Sequence, residues 1–153
     1  MAAHKATDVA YWLIWKLAES GDVVTHLKVQ KLLYYAEAWN QVINGEELFE
    51  GQIQAWAHGP VVPEVFHEFK AYGWNPLPVP DEKEIPKFSE ETENVLQQII
   101  DSYGELPAKT LENMTHEDEP WIRARGTLAP EERCEASIPK KEIKAFFEKK
   151  YEG

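Results

Sequence analysis

Hydrophobic positions recur along this chain mainly at helical spacing. From Val9 to Leu17 they cover most sides of a predicted helix, through Val9, Tyr11, Trp12, Leu13, Ile14, Trp15 and Leu17. A helix apolar nearly all round sits at the centre of a bundle or packs on two faces. Thr7 is placed to cap it, Asp8 lies in the first turn where the helix dipole favours a carboxylate, and Gly21 ends it. Thr25 is the expected cap of a second helix. There Val29, Leu32, Leu33, Ala36 and Ile43 fall on one stripe, with Tyr35, Trp39 and Val42 on another beside it. Asn44-Gly45 tolerates the left-handed backbone that stops a helix.

The period then changes. Leu48 and Phe49, followed by Ile53, Ala55 and Ala57 alternating with Gln52, Gln54 and Trp56, predict a small β-ribbon near residues 47–57 that turns close to Gly51. His58-Gly59-Pro60 is expected to interrupt regular structure, and Pro63 suits the first position of a helix, where its missing N–H costs nothing. Val65, Phe66, Phe69 and Tyr72 form the apolar face of that helix, which Gly73 closes. Pro76, Pro78, Pro80 and Pro86 make residues 74–88 a loop. Ser89 caps a helix to Tyr103, Pro107 starts a short one, and Pro120 precedes another that ends near Arg125-Gly126. Pro139 opens the last, with Ile143, Phe146, Phe147 and Tyr151 on one side. The sum is a mostly α fold: a single compact domain over 1–153, of about six helices with one small β-ribbon.

Composition narrows the function classes. Six Trp, six Tyr and six Phe supply a core, since each buried aromatic removes about 150–250 Å² from water. One cysteine, Cys134, excludes an internal disulfide, and there is neither an apolar run of membrane-spanning length nor a signal peptide, so a cytoplasmic location is expected. The net charge of −11 is uneven: residues 1–44 balance, 45–86 carry eight acids against two bases, 87–136 twelve against five, and 137–153 three against five. An acidic middle disfavours nucleic acid, whose binding rests on Lys and Arg displacing counterions, and it suits a basic protein partner.

Three constellations could hold chemistry. His58 sits in a turn whose Gly59-Pro60 fixes the backbone and admits a close neighbour, which fits a hydrogen-bonded turn better than a general base. His116-Glu117-Asp118-Glu119 supplies metal-ligand types without metal-ligand spacing, so neither a metal nor a cofactor is expected; a small metal-dependent hydrolase using His58, His116 and Glu117 is the alternative reading. Trp121, Arg123 and Arg125 are residue types that dominate interface hot spots. Core packing is the better reading of Trp121, and for the two arginines interface and surface-charge roles stay open.

Taken together, Lys31-Leu32-Leu33-Tyr34-Tyr35-Ala36, Trp39, Trp56, His58-Gly59-Pro60-Val61-Val62-Pro63, Phe69-Lys70-x-Tyr72-Gly73 and Thr115-His116-x-x-x-Pro120-Trp121 with Arg125 resemble the Panacea, or SocA-like antitoxin, domain. The resemblance implies a non-enzymatic antitoxin that neutralises a cognate toxin encoded nearby through direct binding, with delivery to a protease complex as a variant of that role. It carries no membrane association, no direct nucleic-acid contact and no fixed oligomeric state. The candidate partner-binding residues are Trp56, His58, Gly59, Pro60, His116, Glu117, Trp121, Arg123 and Arg125.

Overall fold

The computed structural model describes residues 4–129 and 131–152. Among them run seven α-helices and a three-stranded antiparallel sheet: α1 (Ala6–Glu19), α2 (His26–Asn44), β1 (Ile53–Trp56), β2 (Gly59–Val61), α3 (Pro63–Phe69), α4 (Glu90–Tyr103), α5 (Ala108–Thr115), α6 (Glu119–Arg125), β3 (Ser137–Ile138) and α7 (Lys140–Glu152). The mostly helical architecture is the one the periodicity predicts. No described helix is long and apolar enough to cross a membrane.

The central helix is α2. It packs against α1, α3, α4, α5, α7 and β2, and every residue from Lys28 to Ala38 is buried, four polar ones included. Its aromatic positions knit the bundle. Tyr35 stacks on Tyr103 of α4 at 4.2 Å, and Phe147 of α7 meets Tyr34, Tyr35 and Trp39 edge-on. The Tyr34 hydroxyl donates to Asp118 at 2.9 Å, tying α2 to the start of α6, and burial pushes the Asp118 carboxyl up to about 6. Glu37 is fully buried; its carboxylate accepts the N–H groups of Leu48 (3.0 Å) and Phe49 (3.2 Å) and lies 3.3 Å from Lys140. That one side chain fixes the approach to the sheet and the start of α7.

Two local expectations are corrected. First, α1 starts at Ala6, and Lys5, not Thr7, is its cap residue, without a side-chain hydrogen bond. The cause lies upstream: His4 N–H donates to Leu48 C=O and Glu50 N–H to His4 C=O, so the chain is already anchored where the cap would form. Second, the ribbon does not turn at Gly51. β1 pairs with β2 in the register Gln54–Val61, Ala55–Pro60, Trp56–Gly59, around a turn at Ala57–His58, and with β3 on its other side. Gly59 and Pro60 are thus strand residues. Gly59 leaves the turn at φ +111°, open mainly to glycine, and Pro60 is tolerated because β2 is an edge strand. Gly45 ends α2 at φ +77°, Pro63 opens α3, and Ser89 Oγ accepts from Thr92 N–H, as expected, whereas Thr25 starts α2 without a side-chain hydrogen bond and α3 ends at Phe69, Gly73 closing only the short 3-10 turn of Lys70–Tyr72.

Candidate functional site

An exposed strand edge offers unpaired backbone groups and must be covered or blunted. Here α2 covers β2 with side chains. Gln30 accepts from Val62 N–H through Oε1 at 2.7 Å and donates to Val62 C=O through Nε2 at 3.2 Å, as a neighbouring strand would. Lys31 Nζ donates to Pro60 C=O at 3.2 Å, and Pro60 has no N–H to satisfy. Lys31 is wholly buried, and burial lowers its ammonium to about 7 against the attraction of Glu112. The fit around it explains Gly59. A Cβ there would stand 2.7 Å from Thr115 Oγ1 and 2.8 Å from Lys31 Cε.

The polar residues of the two sequence motifs meet on α5, but not in the combination the sequence suggested. Glu112, buried on α5, lies 3.3 Å from His58 Nδ1, 3.7 Å from Lys109 Nζ and 3.9 Å from His116 Nε2. Glu117 is exposed and pairs with neither histidine. Glu112 stands one helical turn before His116, so the i, i+4 spacing was the available signal for it. Burial lowers the His116 imidazole, which stacks on Trp121 with 4.3 Å between ring centroids. Trp121 is itself buried and donates from Nε1 to Trp56 C=O at 2.9 Å. Arg125 is buried too. It donates to Ala55 C=O at 3.0 Å, Ala129 C=O at 2.7 Å and Glu132 C=O at 2.6 Å, with its guanidinium over the Trp121 ring. Trp121 and Arg125 therefore brace β1 from behind, while Arg123 is exposed and pairs with Glu119 on the surface of α6. Among the described residues no three His, Cys, Asp or Glu side chains form a group that could hold a metal ion.

On the outer side of the braced hairpin lies an apolar groove of about 320 Å³. Its lining comprises Leu27, Trp56, Val61, Phe66 and Trp74, with His26 and Gln30 in the helix below and His58, Lys70 and Gly73 completing the rim. Trp56 and Phe66 meet edge-to-face at 4.9 Å, and Trp74 is 72% exposed. Trp74 and Phe66 were not among the residues singled out from sequence; one lay in a proline-rich loop and the other read as core. The polar groups within are spent on each other. Burial, aided by the Lys31 charge, lowers His26 to about 4, so it is neutral at physiological pH and accepts from Gln30 Nε2 at 3.0 Å. Trp56 Nε1 donates to Gln54 Oε1 at 2.7 Å.

A helix-wrapped hairpin whose free edge is capped from α2, with an aromatic groove beside it, defines the structural class. Residues 29–122 match the family model described as antitoxin SocA-like, Panacea domain, and the chain belongs to this family. The match takes in Gln30, Lys31, the hairpin, most of the groove, Glu112 and Trp121; Arg125 and α7 lie beyond it. The chain is similar to Antitoxin SocA of Caulobacter vibrioides (strain NA1000 / CB15N), with 40% identity over 68 residues. Those residues are 44% of this chain and 36% of that protein, so the chain matches about a third of the relative's length. No solved structure matches.

Proposed function

We propose that this chain is a cytoplasmic, non-enzymatic antitoxin that neutralises a cognate toxin, encoded nearby, by direct binding, with the aromatic groove as the central contact. Family membership supports the role, and the observation that supports the surface is Trp74. A tryptophan 72% exposed above an apolar groove, with the His58 ring edge-on to it at 6.4 Å, is an anchor of the kind that dominates interface energies. Around it the wider surface of residues 45–136 is acidic and suits a basic toxin, speeding encounter more than tightening the complex. A standard interface of roughly 1,600 Å² would extend well past the groove. Blocking the toxin and handing it to a protease complex both begin with this capture step.

Truncating such an anchor typically costs at least about 2 kcal/mol, or roughly 30-fold in affinity. Trp74→Ala should therefore release the toxin while leaving the fold intact, because the side chain is largely outside the core. The test is co-expression with the product of the neighbouring gene. Wild type should rescue growth and co-purify with the toxin; Trp74→Ala should do neither, with an unchanged far-UV circular dichroism spectrum. Equal rescue by Trp74→Ala, or a harmless neighbouring product, would refute the proposal.

A further inference from the structure

The chemistry of the groove mouth narrows what it accepts. That selectivity presupposes the groove as the partner-binding surface proposed above. Its volume of about 320 Å³ lies at the lower end of the roughly 300–1,000 Å³ typical of ligand pockets, so it suits one anchoring side chain. Trp56, Phe66 and Trp74 present ring faces and edges, which favours an aromatic anchor packed edge-to-face or offset. Two groups at the mouth can only donate. The Lys70 ammonium and the Trp74 indole N–H are donors without acceptor capacity, and neither has a hydrogen-bond partner among the described residues. His58 turns Nδ1 to Glu112, and His26 and Gln30 are spent on each other and on Val62. No carboxylate lines the groove, although the chain has 27 Asp and Glu against 16 Lys and Arg.

From this we infer that the groove takes an aromatic side chain of the partner with a side-chain carboxylate next to it. The carboxylate meets Lys70 and the Trp74 N–H, and charge-assisted hydrogen bonds of this type are stronger than neutral ones. A cation in the same place is repelled by the Lys70 ammonium and has no carboxylate in the lining to meet. The partner's overall charge can still be basic, since its remaining surface faces the acidic chain outside the groove.

The probes are blocked peptides, acetyl-Ala-Trp-Glu-Ala-amide and its Gln and Lys counterparts, titrated into the ¹⁵N-labelled full chain and followed at the tryptophan indole cross-peaks. Affinity should fall in the order Glu, Gln, Lys, with roughly two- to fivefold between Glu and Gln, the range for an exposed ion pair. Lys70→Gln should erase the order, and Trp74→Ala should weaken all three peptides. Equal binding of the Glu and Gln peptides, an order unmoved by Lys70→Gln, or no shift with any peptide overturns the inference. So does tighter binding of acetyl-Ala-Trp with a free terminal carboxylate. Peptide selectivity combined with full toxin rescue by Trp74→Ala sinks the functional reading alone. Loss of rescue without selectivity sinks this inference alone.

Discussion

The buried Lys31 can be tested through the pH dependence of stability. Its ammonium lies near 7 in the fold and 10.5 in the unfolded chain. A lysine lowered on folding leaves the unfolded state holding more protons between those values, so stability rises with pH across the window. Where both states are protonated, the charge costs the fold about 5 kcal/mol, from roughly 1.4 kcal/mol for each tenfold difference in proton affinity. Between pH 7 and 9 about 2 kcal/mol of that cost should disappear. Lys31→Met keeps the unbranched stem and removes the titration, but it leaves Pro60 C=O without its donor, a loss of about 1–3 kcal/mol. The variant should therefore be close to wild type at pH 9, where about 2 kcal/mol of the cost remains, and more stable than it by roughly 2–4 kcal/mol at pH 6. Urea unfolding of both proteins at pH 6, 7, 8 and 9, read by circular dichroism, gives the two curves. Titrations remote from Lys31 cancel in their difference. Parallel curves between pH 7 and 9 would show that Lys31 does not change charge there, and the account of a lysine neutralised by burial would be wrong.

Two further substitutions separate frame from surface. Gly59→Ala combines φ +111° with Cβ contacts of 2.7 and 2.8 Å, so it should lower stability by about 2–5 kcal/mol, the sum of backbone strain and overpacking; a urea midpoint within error of wild type would contradict that close fit. Arg125→Ala strips donors from the carbonyls of Ala55, Ala129 and Glu132 and should cost about 3–5 kcal/mol, at roughly 1–3 kcal/mol for each acceptor left unpaired, with hydrogen exchange speeding first in β1 and at Ala129 and Glu132, and Arg125→Lys should restore only part because one ammonium cannot reproduce the planar fork. If Arg125→Ala instead keeps its stability and loses the toxin, that arginine belongs to the interface.

Helical periodicity made most of the fold legible before any coordinates, because a helix writes its buried face into one local stretch. The stops at Gly45 and Gly104 and the starts at Pro63 and Ser89 are equally local and fell where expected. The hairpin was misread for the opposite reason. Gly and Pro at positions 59 and 60 look like breakers until the α2 side chains that close β2 are in place, and those arrive from about 30 residues away in sequence. The i, i+4 spacing to His116 hints at Glu112, but its pairing with His58 and the place of Trp74 above the groove are tertiary and no period encodes them. Resemblance supplied Trp56 and His58 as site residues, and the structure places both at the groove.

The motif residues divide by what they spend their polar groups on. Gln30, Lys31, Thr115, Trp121 and Arg125 are committed inward, to Val62, Pro60, Glu112, Trp56 and Ala55. Thr115 bonds within α5, the other four close backbone groups of the hairpin and its flank, and each leaves little for another protein to touch. Trp74, Phe66, Leu27 and Lys70 line the groove without a hydrogen bond into the hairpin. A change in the first set disturbs the frame, and recognition fails together with stability. A change in the second alters what the groove accepts while the capped edge stays closed, since no backbone group of β2 depends on it. What the groove accepts can thus be rewritten at a few outward positions without repeating the folding problem. His58, like Gln30, joins the two sets, lining the groove while its Nδ1 faces the buried Glu112. Its replacement should register in both binding and stability.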